Sequence, residues 1–168
     1  MRKELYNKIC TRLERLYKLP DGAVYEHENK EEKIPEGAVR IVNHIDLWNQ
    51  NVEFIEQEEN WARPAVFVEF CPIRWNAIVP GVEYRAEPEV KLHIVTDWAG
   101  AASEGSSFKE EALAVFDLPE LIHERLTCLE GETFKVFDLV ESQTNHNHEE
   151  MVENIEVYSC VAIKRING

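Results

Sequence analysis

The chain has 168 residues, 44% hydrophobic and 30% charged, a balance that predicts a single folded domain with an ordinary apolar core. Eighteen Lys and Arg against 32 Asp and Glu give a formal net charge of −14, which excludes simple electrostatic adhesion to nucleic acid or to an anionic membrane. No apolar run approaches the roughly 18 residues of a membrane span, and the charged residues 1–8 lack the apolar stretch of a secretion signal, so a cytoplasmic protein is expected.

The charge is uneven. Residues 1–18 hold six basic and two acidic side chains and are therefore +4, leaving −18 for the rest. Within that segment Leu5, Ile9, Leu13 and Leu16 recur at helical spacing, which predicts an amphipathic helix over 3–18, ended by Leu19, Pro20, Asp21 and Gly22. Residues 21–38 read as a mobile acidic loop. Residues 39–47 alternate, with Val39, Ile41, Asn43, Ile45 and Leu47 on one side of a strand. Residues 53–63 are acidic and predict a surface loop or strand extension around Trp61.

Ala65 to Phe70 is the strongest strand signal, apolar on both faces except at Glu69. A short piece at Ile73, Arg74 and Trp75 follows, bounded by Pro72 and by Pro80 and Gly81. Residues 90–96 form the next strand, with Val90, Leu92 and Ile94 inward and His93 on the opposite face. After a small-residue connection, a helix is expected over 108–129. It has a second start at Asp117, Leu118 and Pro119, a buried stripe of Leu118, Leu121, Ile122, Leu126 and Leu129, and a stop at Gly131. The last segment, 134–165, reads as a hairpin. Residues 134–142 form one strand, a polar turn covers 144–148, and Ile155, Val157, Ser159, Val161 and Ile163 alternate against Tyr158, Cys160 and Ala162. The fold class is α+β, a single domain over 1–168. It is built on a mostly antiparallel sheet of about four strands with two helices packed on one face.

No catalytic signature stands out. Cys10, Cys71, Cys128 and Cys160 are too far apart for a zinc knuckle or a redox pair, and all four are expected as reduced, buried thiols. His146 and His148 stand near Glu149 and Glu150, but the asparagines between and before them explain the segment as a turn, so no metal is expected there. His93 and His123 lie on regular elements, where packed or solvated roles outweigh that of a general base near Glu69 or Glu124. No phosphate-cradling glycine loop and no G-x-S-x-G occur, so no cofactor and no catalytic residue are assigned. Trp48, Trp61, Trp75 and Trp98 fall at strand ends and loops, where aromatics line interfaces or pockets. Trp48, Trp61, Glu69 and Trp75 are the candidate partner-contact residues.

The order of elements resembles the tail-terminator and head–tail joining proteins of long-tailed bacteriophages and prophages. The residues carrying the resemblance are Asp46-Leu47-Trp48-Asn49-Gln50, Arg63-Pro64-Ala65-Val66-Phe67-Val68-Glu69-Phe70, Leu92-His93-Ile94-Val95-Thr96, Leu118-Pro119-Glu120-Leu121-Ile122-His123, and the Asn145-His146-Asn147-His148 turn. It spans about residues 2 to 165 and rests on pattern and order; the long acidic 21–38 loop and the net charge depart from it. The resemblance implies a non-enzymatic subunit that assembles as a ring, hexameric in that family, at the head-proximal end of a tail tube. Its partners would be its own copies, tail-tube and neck proteins. It would be found in the bacterial cytoplasm during assembly and then in the virion, with DNA passing through the lumen without specific binding. An acidic lumen suits that passage, because no phosphates are neutralised. The residues also admit two other classes: a small α+β enzyme or ligand-binding domain using Trp75, His93 and Glu69, and an acidic DNA mimic.

Overall fold

The computed structural model describes residues 1–49, 61–100, 102–107, 109–145 and 150–166. Its elements are α1 (Arg2–Leu13), β1 (Leu16–Lys18), β2 (Val24–Glu26), β3 (Val39–Arg40), β4 (His44–Leu47), β5 (Ala65–Phe70), β6 (Asn76–Val79), β7 (Glu83–Ala86), β8 (Glu89–Asp97), α2 (Lys109–Leu113), a 3-10 turn (Ala114–Phe116), α3 (Asp117–Leu126), β9 (Phe134–Asn145) and β10 (Met151–Arg165). The class is α+β with mostly antiparallel strands. No helix among the described residues is long and apolar enough to cross a membrane.

The sheet is larger than the four strands read from the sequence. It has seven strands in the order β4-β5-β8-β10-β7-β6, with β9 on β10, and β4 runs parallel to β5. The difference lies between residues 71 and 88. Strand β10 keeps one register against β7 and β8, from Arg165↔Glu83 and Ala162↔Ala86 through Ser159↔Glu89 to Met151↔Asp97. The two strands are thus one strand broken at Glu87 and Pro88. Pro88 has no N–H to donate, although its carbonyl still accepts from Cys160 N at 3.2 Å. Strand β7 returns along β6 after the turn at Pro80 and Gly81, where Gly81 takes φ +77°.

A separate three-stranded sheet, β2-β1-β3, forms at the N-terminal end. It accounts for two corrections. The first helix stops at Leu13, not Lys18: Leu16 and Tyr17 are buried as strand residues, with Tyr17 paired to Tyr25 and to Arg40. The 21–38 segment contains β2, and the single strand expected over 39–47 is two. Ile41 N donates to Leu16 O at 3.0 Å and Asn43 N to Pro64 O at 2.8 Å, so the chain leaves one sheet for the other within three residues. Leu16 is three residues from Leu13, which satisfies a helical stripe as well as a buried strand position.

The core lies between the seven-stranded sheet and the helices. Leu5, Ile9 and Leu13 of α1 and Leu118, Ile122 and Leu126 of α3 cluster with Val66, Val68, Val90, Leu92, Ile94 and Tyr158. Both helices therefore cover one face, as their apolar stripes predict. The region expected as one helix over 108–129 is α2, the 3-10 turn and α3, the last beginning at Asp117. It ends before Gly131. Thr127 caps it, and Cys128 takes the left-handed position at φ +60°. Cys128 is exposed and Cys10 and Cys71 are half-buried, so only Cys160 fits the buried-thiol expectation. Burial pushes the Cys160 thiol up to about 11. A left-handed non-glycine residue carries about 1 kcal/mol of strain, so Cys128→Gly is expected to raise unfolding stability by about that amount in urea titration. An unchanged or lower stability would show that the strain is absorbed elsewhere.

Candidate functional site

Side-chain alternation sends a second set of residues to the sheet face away from the helices. Strand pairing brings Phe67 opposite His93, and His93 opposite Ile155, with Glu153 one step along the same face opposite Val95. A smaller apolar cluster of Ala65, Phe67, Val95 and Met151 forms there, with Trp48 and Trp61 packed against it.

Within this face His93 is 4% exposed and sits between two carboxylates. Its Nδ1 lies 2.6 Å from Glu153 Oε1 and its Nε2 lies 2.8 Å from Glu69 Oε2. Glu153 is itself 3% exposed, and its other oxygen accepts from Asn145 Nδ2 at 2.9 Å. The Trp48 indole lies flat on the imidazole, with centroids 3.8 Å apart and planes 2° apart. A carboxylate only accepts hydrogen bonds, so both contacts are satisfied together when both ring nitrogens carry protons. The arrangement fits an imidazolium held by two carboxylates under an aromatic face, which adds cation–π attraction.

This geometry sets what the cluster can do. Both ring nitrogens are occupied by carboxylates of the same sheet face. The cluster ties β5, β8, β9 and β10 across the sheet through charge-assisted hydrogen bonds. Burial makes the pairing obligatory, because an unpaired charge there would be strongly unfavourable.

Of the residues singled out from the sequence, the fold brings Trp48, Trp61 and Glu69 to this one face. Trp61 meets Phe67 edge-on at 5.0 Å and stacks near His44 at 6.3 Å. Trp75 is elsewhere. It packs against the helix-side core and borders a cleft of about 560 Å³ with Met1, Arg2, Phe70, Cys71 and Ile163. His123 lies near Tyr158 in the helical layer, 6.2 Å between rings. His146, His148 and Glu149 lie outside the described residues, as do Gln50 and the acidic stretch 51–60. Among the described residues no group of three or more His, Cys, Asp or Glu could hold a metal.

Sequence reasoning did not find Glu153 and Asn145. The alternation that marks the final strand is legible from Ile155 onward, whereas pairing extends the strand to Met151. The available signal was Glu153 itself, a charge two positions before Ile155 on the same face, and it becomes meaningful only once Ile155 is paired with His93. No protein-family model and no curated protein sequence matches this chain.

A different kind of surface occupies the far end of the sheet. All four residues of β6 are exposed. Ile78, Val79 and Val82 are 53%, 48% and 52% exposed, and Ile163 and Ile166 at the end of β10 are 42% and 46% exposed. Ile166 N donates to Val82 O at 2.8 Å, which joins the two groups.

Proposed function

We propose that this protein is a self-assembling, non-enzymatic subunit of a phage or prophage neck, a ring at the head-proximal end of a tail tube. The observation that carries the reading is the apolar ribbon end formed by Ile78, Val79, Val82, Ile163 and Ile166. A monomer gains nothing from holding five large aliphatic side chains in water at one end of an otherwise acidic body, whereas a neighbouring copy would cover them. Exposed sheet edges of this kind are usually blunted in proteins that stay monomeric. The resemblance in element order supplies the kind of assembly, and the hexameric ring is part of that proposal. The net charge of −14 supports a lumen that DNA crosses without sticking. His93, with both ring nitrogens engaged by carboxylates, supports a structural role for the only buried His–carboxylate cluster among the described residues.

Sedimentation over a protein and salt series tests the reading. Residues 21–60 hold 11 acidic and three basic side chains, and like charge on neighbouring copies opposes assembly. Raising salt from about 0.01 M to about 1 M shortens the screening length from about 30 Å to about 3 Å. The concentration needed for half-assembly should therefore fall as salt rises. A single-subunit mass at every salt and protein concentration, and also in the presence of tail-tube protein, would remove the physical support for the ring.

A further inference from the structure

The seven-stranded sheet has a second open edge. Among the described residues β9 pairs with β10, and its other edge is met only between Phe134 and Phe137, by the Leu129 bridge and by the Cys128 and Gly131 amides; from Asp138 onward no strand covers it, just as β6 pairs only with β7. Strand β9 also carries exposed aliphatic side chains, Val136 at 68% and Val140 at 57%. Val136 is the most exposed large hydrophobic residue among those described, and its backbone is at φ +56°. A β-branched residue in the left-handed region is strained. The strain falls where the β9–β10 register shifts between Ser159 and Val161, a bulge on an edge strand. Bulges on edges re-aim side chains, and strain that persists commonly marks a surface with a task.

The two edges carry opposite charge. Around β6, residues 71–87 and 163–166 hold Arg74, Arg85, Lys164 and Arg165 against Glu83 and Glu87, a net of +2. Along β9, residues 130–141 hold Glu130, Glu132, Asp138 and Glu141 against Lys135, a net of −3. Arg85 and Arg165 are already paired with Glu87 and Glu83, and Arg74 and Lys164 form no ion pair among the described residues. Strand β9 lies on one edge of β10 and β6 lies beyond β7 on the other. The two surfaces therefore face opposite ways and cannot meet within one molecule.

We propose that the β6 edge of one copy docks on the β9 edge of the next, Ile78, Val79 and Val82 against Val136 and Val140. Arg74 and Lys164 would face Asp138 and Glu141, two attractions outnumbered by the acidic excess of residues 21–60, so the repulsion between copies still sets the direction of the salt dependence. The contact is head-to-tail, so it leaves one free surface of each kind on every added copy and closes only as a ring. This rests on the assembly reading above and names the surfaces that would carry it.

The test uses two full-length variants, Val79→Asp and Val136→Asp. Both positions are exposed, and Asp tolerates the left-handed backbone at residue 136 better than Val. Each variant alone should stay monomeric to a concentration at least about tenfold above wild-type half-assembly. Val79→Asp retains an intact β9 edge and Val136→Asp an intact β6 edge. An equimolar mixture should therefore form a two-subunit species and nothing larger. Thermal melting of each variant checks the fold, and the charge pair Arg74→Glu with Lys164→Glu serves if an Asp variant melts early. If wild type assembles and the variants assemble equally well, this contact is wrong while the ring reading stands. A mixture that stays monomeric tenfold above wild-type half-assembly also overturns the contact. Wild type that is monomeric throughout overturns both.

Discussion

Replacing His93 by alanine is expected to lower unfolding stability by about 3 to 5 kcal/mol, the usual consequence of removing one member of a buried charge pair. The loss arises less from the missing contacts than from what stays behind. Glu153 is 3% exposed and lies on β10, a strand paired on both sides by β8 and β9. Removing the imidazole takes away a charge-assisted partner at 2.6 Å from a carboxylate that stays out of bulk water. Glu69 is less affected, because its side chain is one-third exposed and water can solvate it. The same reasoning predicts strong coupling. His93→Ala combined with Glu153→Ala should be less destabilised than the sum of the single variants by more than about 1 kcal/mol, because neither buried charge then remains alone. Urea unfolding of the four proteins measures this. A His93→Ala loss below about 1 kcal/mol, or additive single effects, would mean that the three groups do not act as a charged unit.

The second large effect is expected at Gly131. A Cβ placed there would stand 2.2 Å from Glu4 Oε1 and 2.7 Å from Phe134 Cε1, well inside contact distance. The Glu4 carboxylate occupies that space because it accepts from Glu132 N at 2.6 Å, from Thr133 N at 3.1 Å and from the Thr133 hydroxyl. These bonds tie the first turn of α1 to the start of β9, more than a hundred residues later in the chain. Gly131→Ala must push the carboxylate out or shift Phe134, which is in the core. The expected loss is about 2 to 3 kcal/mol.

The same carboxylate makes stability depend on pH. Its pKa is held below the ordinary value of 4.5, chiefly by the Thr133 hydroxyl, with burial opposing and the Glu132 and Thr133 amides assisting. A group depressed in the folded state stabilises above its unfolded pKa, and that stability disappears as pH falls through the folded value. Wild type should therefore exceed Glu4→Gln in stability at pH 7, and the difference should vanish in acid, below the ordinary glutamate range. A difference that stays constant down to the lowest pH at which the protein folds would assign the effect to shape rather than to charge. Gly131→Ala, having displaced the carboxylate, should show a weakened dependence on residue 4. Glu4→Gln in that background should then change stability by less than about 0.5 kcal/mol.

Read alone, the sequence determined much of the fold, for physical reasons that are local. The stripe Leu5, Ile9 and Leu13 and the stripe Leu118, Ile122 and Leu126 could bury one face each only as helices. The period-two pattern around Ala65, Leu92 and Tyr158 could do so only as strands, and the start of α3 at Asp117 followed from residue types within one turn. It placed His93 on the face opposite Leu92 and Ile94, and it singled out Glu69 as the charge interrupting a double-faced apolar strand.

What it left open depended on partners distant in the chain. Leu16 and Tyr17 satisfy a helix as well as a strand, and only the pairing of Leu16 with Glu26 and of Tyr17 with Tyr25 and Arg40 decides the matter. The 71–88 region lacks clear periodicity because Pro88 and the turn at Pro80 and Gly81 interrupt it. Its strand character comes from the unbroken register along β10. His93 and Glu153 are 60 residues apart and Glu4 and Thr133 are 129 apart, so neither cluster leaves a spacing to read. Strand pairing, which carries no sequence-local signal beyond alternation, turns a lone histidine and two scattered glutamates into one charged unit.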